Sequence, residues 1–262
     1  MESSEEEDFS DDDIANIFSE SEDEDVFQLF ISDEMLERIA RWTNEWFQVK
    51  KATEPNKHKA PFKPITDIAE LKAYIGVLLA MNQNIGLPRY EHYFRQDESK
   101  WLLLTPGFHK LFSEKRFSQL NRYIFFCDPN SVNRGNECGR EKLAKVKPFL
   151  EHLQVACKAN FNCGKNITID EAMVPYKEKL SIKPRILGKP VRWGIKLFPL
   201  CDSETAYISR FEVYLGKARD NEYISAIGKG GAVVARLTED FHHKGHVYSL
   251  TTGIAVLHYA YS

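Results

Sequence analysis

From Ser32 onward, apolar residues recur at helical spacing: Leu36, Ile39, Trp42 and Trp46. Ser32 is a capping residue, and Asp33 and Glu34 suit the positive end of a helix dipole, so the pattern predicts a helix starting there. A linker with Pro55, Pro61 and Pro64 follows. A second helix is predicted from Thr66, with Ile68, Leu71, Ile75, Leu78 and Leu79 on one face. Shorter ones are predicted around Phe117, Leu120 and Ile124, and around Val146, Phe149, Leu150 and Leu153. These stripes read as core, and residues 32–160 as a helical region.

The period changes after Cys163. Residues 166–170 (NITID), 193–201 (WGIKLFPLC) and 206–215 (AYISRFEVYL) read as strands, bounded by Gly194, Asp202, Ser203 and Gly216. A helix is predicted over residues 231–242, with Val233, Val234, Leu237 and Phe241 on one face. Gly245 then introduces HVYS, the start of another strand. The order strand, strand, strand, helix, strand suits many α/β folds and is also the opening of an RNase H-like domain.

The charge is unevenly placed. The net value of -3 averages two unlike parts, because residues 1–25 hold thirteen Asp and Glu and no Lys or Arg. The remainder carries 25 acidic and 35 basic residues, a net of +10. Self-repulsion and scarce apolar residues predict a disordered acidic tail over residues 1–26, able to lie on the basic body. Ser3, Ser4, Ser10, Ser19 and Ser21 in that tail sit beside acids, the context of acidophilic kinases. No run of about 18 apolar residues occurs, which argues against a membrane span, and the acidic start argues against a signal peptide. Cys127, Cys138, Cys157, Cys163 and Cys201 are odd in number and lack zinc spacing, so a reduced, soluble protein without a disulfide framework is expected.

Asp170 is the sharpest candidate for chemistry. It closes an apolar strand, where side chains project at the sheet edge that binds ligands in open α/β folds. With Glu171 it offers the oxygen ligands that Mg²⁺ requires, although on these residues alone a strand-end turn is the simpler reading. The following segment is strongly basic: Lys177, Lys179, Lys183, Arg185, Lys189, Arg192 and Lys196, with Glu178 the only acid and with Tyr176 and Trp193 interleaved. Such density neutralises phosphates, and aromatics stack on exposed bases; the alternative is a solvated loop and strand face. His242, His243 and His246 read as a helix end rather than a metal site. Gly228, Gly230 and Gly231 read as a connector before a helix, though a helix N-terminus there would suit a phosphate. Asp202 reads as a turn residue.

The run ITIDEAMVPYKEKLSIKPRILGKPVRWGIKLFPLCDSETAYISRFEVYLGK resembles the transposase core of the piggyBac family. The likeness lies in the IDE-M-x-P-Y-x-basic run, GKPxRWGIK, C-D-S-x-T and the closing YLGK. Upstream, AYIGVLLAMNQNIGLPRYEHYF, RFSQLNRYIFFCD and KLAKVKPFL resemble the family's helical region. The resemblance covers roughly residues 27–248, and an acidic N-terminus is usual in the family. It implies an RNase H-like DDE/D transposase that cuts and rejoins DNA with a divalent metal such as Mg²⁺, works in the nucleus and is compatible with a homodimer. Asp170 matches the first of three aspartates, as catalytic residue and metal ligand.

The resemblance places the second aspartate after a G-H-x-V-Y type lead-in, present here as Lys244-Gly245-His246-Val247-Tyr248. Residues 249–262 contain no Asp or Glu, and the third aspartate would lie beyond residue 262. With one carboxylate, Mg²⁺ is expected to be held weakly and this chain to be catalytically inactive. The expected fold class is α/β: a helical region over residues 27–160, then an incomplete RNase H-like domain over residues 161–248 and a divergent tail over residues 249–262, as in a C-terminally truncated relative. The expected function is that of a transposase-derived DNA-binding protein, its basic stretch contacting phosphates. The alternative is a domesticated protein-interaction module using the acidic tail and helices.

Overall fold

The computed structural model describes residues 22–58, 61–83, 89–94, 107–133, 143–176, 193–215 and 223–250. Residues 1–21 of the acidic tail, the basic residues from Lys177 to Arg192 and residues 251–262 lie outside the described residues. The chain divides into two compact units, Met1–Phe149 and Leu150–Ser262.

In the first unit, helices α1 (Glu22–Phe30) and α2 (Asp33–Thr53) follow one another, so helix reaches into the acidic segment read as disordered. Ser32 caps α2 as its position predicts: its hydroxyl accepts from the Met35 amide at 3.3 Å. Leu36, Ile39 and Trp42 are buried, while Trp46 stacks on Phe125 with centroids 4.2 Å apart. The following linker is fixed by side chains. Asn44 both donates to the Ile65 carbonyl and accepts from its amide, each at 2.8 Å.

Helix α3 (Ile68–Gln83) forms where expected, but its buried face differs from the predicted one. Leu71, Tyr74 and Val77 are buried, whereas Leu78 and Leu79 are exposed. IAELKAYIGVLLAMNQ is apolar on nearly every side, so spacing alone does not single out its inner face. A 3₁₀ turn (Tyr90–Phe94), α4 (Phe108–Leu111), α5 (Glu114–Tyr123) and α6 (Pro129–Asn133) complete the unit before α7 (Lys147–Asn160). Phe117 anchors the core, with ring centroids 5.3 Å from Tyr74 and 5.0 Å from Phe94.

The second unit carries β1 (Asn166–Ile169), β2 (Ala172–Pro175), β3 (Gly194–Asp202), β4 (Ile208–Val213), α8 (Tyr223–Thr238) and β5 (Val247–Leu250). The strand-strand-strand-helix-strand order is present, with β2 an additional strand that the sequence pattern does not announce. β3 pairs antiparallel with β1, β2 and β4, and β5 pairs parallel with β1. Ile167, Ile169, Phe198 and Leu200 pack with Val233 and Leu237 of α8, so one sheet face and the helix form the core. α8 begins at Tyr223, not Gly231, and ends in a 3₁₀ turn (Glu239–Phe241). Gly228, Gly230 and Gly231 therefore lie inside a helix, which corrects the connector reading. No helix among the described residues is long and apolar enough to cross a membrane.

Truncating Phe117 to Ala removes an aromatic that is 1% exposed. We expect it to lower the unfolding free energy by about 3–5 kcal/mol, against less than about 0.5 kcal/mol for Leu79→Ala on the surface. Urea unfolding of both variants measures the difference.

Candidate functional site

Asp170 stands between β1 and β2, which are two halves of one strand. Ile169 pairs with Leu200 and Ala172 with Leu197, so the register along β3 is unbroken across the gap. The Asp170 amide donates to the Pro199 carbonyl at 3.2 Å. Pro199 has no N–H to return, so this rung of the ladder carries one hydrogen bond where antiparallel pairing would give two. A proline inside a central strand is otherwise unfavourable. Here it sits where the neighbouring strand breaks, and the break leaves the Asp170 side chain exposed.

The neighbours of Asp170 define what it can do. Its carboxylate accepts from the Glu171 amide at 2.6 Å. Glu171 itself pairs with Lys196 at 2.9 Å, both side chains being largely buried. The Lys196 ammonium lies 4.7 Å from the Phe198 ring centroid and 5.5 Å from that of Tyr214. Lys196 is thus packed against the sheet and paired, while the other six basic candidates, Lys177, Lys179, Lys183, Arg185, Lys189 and Arg192, lie outside the described residues. Burial, and then the nearby Asp170 charge and Cys163, push the Cys201 thiol up.

On its other side β1 is flanked by β5, whose last residue Leu250 pairs with Ile169. The next residues in sequence are Thr251, Thr252 and Gly253, and residues 251–262 contain no Asp or Glu. Among the described residues no group of three His, Cys, Asp or Glu side chains is placed to hold a metal. One exposed carboxylate beside an ion-paired glutamate does not fit the several convergent oxygens that a metal pair demands.

The opposite end of β1 is built far more tightly. The Asp202 carboxylate accepts from the amides of Gly164 at 2.8 Å, Thr205 at 2.9 Å and Glu204 at 3.2 Å, and from the Thr205 hydroxyl at 2.8 Å. These bonds hold its carboxyl below the usual carboxylate range, the Thr205 amide contributing most. His246 Nδ1 lies 2.9 Å from the Gly164 carbonyl, and the Val247 amide donates to Lys165 at 2.8 Å. Gly245 takes a positive φ of 76° that brings His246 into place. C-D-S-x-T and G-H-V-Y therefore converge on the loop before β1. The glycine of RWGIK is equally structural: a Cβ on Gly194 would lie 2.2 Å from the Val174 carbonyl oxygen.

The three histidines do not form a site. His242 Nε2 is 3.0 Å from the Thr238 hydroxyl, whereas His246 belongs to the loop before β1. Asp240 was not singled out by sequence pattern, yet it pairs with both Lys158 of α7 and Arg210 of β4. Its hydrogen bonds to Lys158 and Arg210, with the Arg210 charge, bring its carboxyl down to about 2.

The family described as Transposase IS4 matches residues 23–260 of this chain. The human PiggyBac transposable element-derived protein 3 is 24% identical over 216 residues, which are 82% of this chain and 33% of that protein. The human Chimeric ERCC6-PGBD3 protein is 24% identical over 216 residues, 18% of its length. The chain thus spans about a third or less of these curated relatives. The chain solved in a cryo-EM structure of a piggyBac transposase synaptic complex with hairpin DNA matches with a TM-score of 0.64 at 20% identity, over 86% of this chain and 49% of that one.

Asp202 and Asp240 both have depressed carboxyl pKa values, so their stabilising effect is complete above the unfolded-state value near 4 and is lost as pH falls through the folded-state value. The second unit is expected to keep constant stability from neutral pH down to about 4 and to lose it between about 4 and 2. Thermal melts across that range check this, and Asp202→Ala should melt several degrees lower than Asp170→Ala at neutral pH.

Proposed function

This chain belongs to the piggyBac-family transposase-derived proteins, and from that premise we propose that it binds DNA without cutting it. The observation that carries the reading is the Asp170 site: a first-strand carboxylate in family position, flanked by β5, after which residues 251–262 hold no Asp or Glu. Three antiparallel strands in a meander, a helix, and a strand returning parallel to the first support the reading of residues 161–248 as the first half of an RNase H-like domain. The solved relative is a synaptic complex with hairpin DNA, which supports DNA as the partner.

In this reading the segment from Lys177 to Arg192 contacts phosphates and carries little sequence information. Lys196 contributes indirectly, since it is paired with Glu171 and holds β2 beside β3. Asp170 is the member of the family's metal-binding set that the resemblance places in this chain. A divalent ion of the Mg²⁺ kind would supply Lewis-acid activation of phosphate oxygens in a complete site. The donor set here does not fit such a pair, so no cleavage step is assigned. Nuclear residence, and homodimerisation on DNA, are proposed with the function.

The test is duplex binding by the full chain across salt concentrations. Affinity should fall linearly with salt on logarithmic axes, with a slope near 0.9 per phosphate contacted. Lys179→Glu with Lys183→Glu should lower both affinity and slope, and Asp170→Ala should leave them unchanged. No nicking is expected with Mg²⁺ or Mn²⁺. Salt-independent association with protein partners, and no DNA binding, would favour the interaction-module alternative.

A further inference from the structure

The sheet face turned away from α8 carries an exposed apolar strip that the proposed function leaves unused. The register along β3 is unbroken from Ile167 to Pro175, and successive side chains of a strand alternate between faces. Ile167 and Ile169 pack toward α8, so Asp170, Ala172 and Val174 fall on the opposite face. Tyr176 continues that alternation one residue past β2. Trp193 immediately precedes Gly194, the partner of Pro175, and shares the face across the strand pair. Val174 is 44% exposed, Tyr176 36% and Trp193 50%. A Cβ on Gly194 would lie 2.2 Å from the Val174 carbonyl oxygen, so β2 and β3 approach closely beside Trp193 and fix where it stands.

Two other tryptophans show what a structural role looks like in this chain. Trp42 is buried, and Trp46 stacks on Phe125 with centroids 4.2 Å apart. Trp193 instead turns half its surface to solvent. The chain between the two exposed aromatics is cationic: Lys177 follows Tyr176, Arg192 precedes Trp193, and residues 177–192 hold six Lys and Arg against Glu178 alone. Aromatic surface bordered by positive charge complements a ligand that is flat, apolar-faced and anionic. An unpaired nucleotide has that chemistry, whereas a duplex keeps its base faces inside its own stack. An apolar protein segment would use the rings and leave the charge unmatched.

We infer that Tyr176 and Trp193 form a stacking platform for an unpaired DNA base. The inference rests on the DNA-binding reading above and narrows it to DNA that carries unpaired nucleotides. Six residues of extended strand separate Tyr176 from Asp170, which puts the platform about 20 Å from that carboxylate on the same face. Both aromatics sit at strand ends, so the platform is set by the register of the sheet.

The experiment gives the full chain three probes: a short blunt duplex, the same duplex with a thymidine overhang, and that overhang with abasic residues in place of thymidine. The last two have equal phosphate counts and differ in their bases alone. The thymidine overhang should bind about tenfold more tightly than the abasic one. Trp193→Ala and Tyr176→Ser should each bring that ratio toward one, and Trp193→Phe, which keeps a ring, should retain most of it. Trp193→Ala should also keep the parent's salt slope, because stacking releases no counterion, whereas Lys179→Glu with Lys183→Glu should lower the slope and keep the ratio. Equal affinity of the parent chain for both overhangs overturns the inference, as does a ratio that survives both Trp193→Ala and Tyr176→Ser. A loss in Trp193→Ala that is equal on all three probes makes the ring a strand-pairing element and overturns it too. Salt-dependent duplex binding without any base preference leaves the proposed function standing and the platform excluded; no salt-dependent binding of any probe removes both.

Discussion

β3 holds both halves of the broken first strand in a single register, and the positions of Asp170, Glu171 and Lys196 follow from that alignment. Because β1 and β2 share it, Asp170 must fall opposite Pro199, and Glu171 must fall beside Phe198 near Lys196. A slip of one residue would exchange the two faces of the strand, turning Asp170 toward the core and Ile167 and Ile169 out of it. The register is secured at the start of β1, where Asp202 and His246 grip Gly164 from opposite sides. One contact set therefore fixes the antiparallel β3 and the parallel β5 at once.

This arrangement separates the parts of the molecule that hold the fold from the part that could do chemistry. Asp202, Gly194, Gly245 and His246 all belong to motif-like stretches, and each has a complete structural explanation in hydrogen bonds or close backbone approach. Asp170 is exposed, and its carboxylate accepts from the neighbouring Glu171 amide. The contacts that fix the sheet at Gly164 and Gly194 thus lie apart from the exposed carboxylate at the break between β1 and β2.

Much of this was legible from residue spacing, and the failures have specific causes. The Ser32 cap, the α2 stripe and four of the strands follow directly from local pattern, because capping and alternation are properties of short segments. β2 is invisible to pattern because Ala172–Pro175 alternates nothing and ends in proline; only pairing with β3 makes it a strand. The inner face of α3 is hidden because the helix is apolar all round. α8 begins earlier than predicted because glycines at 228, 230 and 231 read as breakers, each costing up to about 1 kcal/mol in a helix, yet burial of Ala232 and Val233 outweighs them. The double pairing of Asp240 joins residues 30 and 82 positions apart, which no local reading can anticipate.

The same reasoning separates charge density from charge availability. Lys196 and Arg116 both sit in basic stretches that look like polyanion-binding surface, but both are committed to buried or half-buried partners, Glu171 and Glu70. Releasing either for a phosphate would strand a carboxylate in a partly desolvated place, a cost that an exposed cation without an ion pair does not carry. Counting Lys and Arg along a sequence therefore overstates the contacts a nucleic acid can make. The number that governs its salt dependence is the smaller set of cations left without an internal partner.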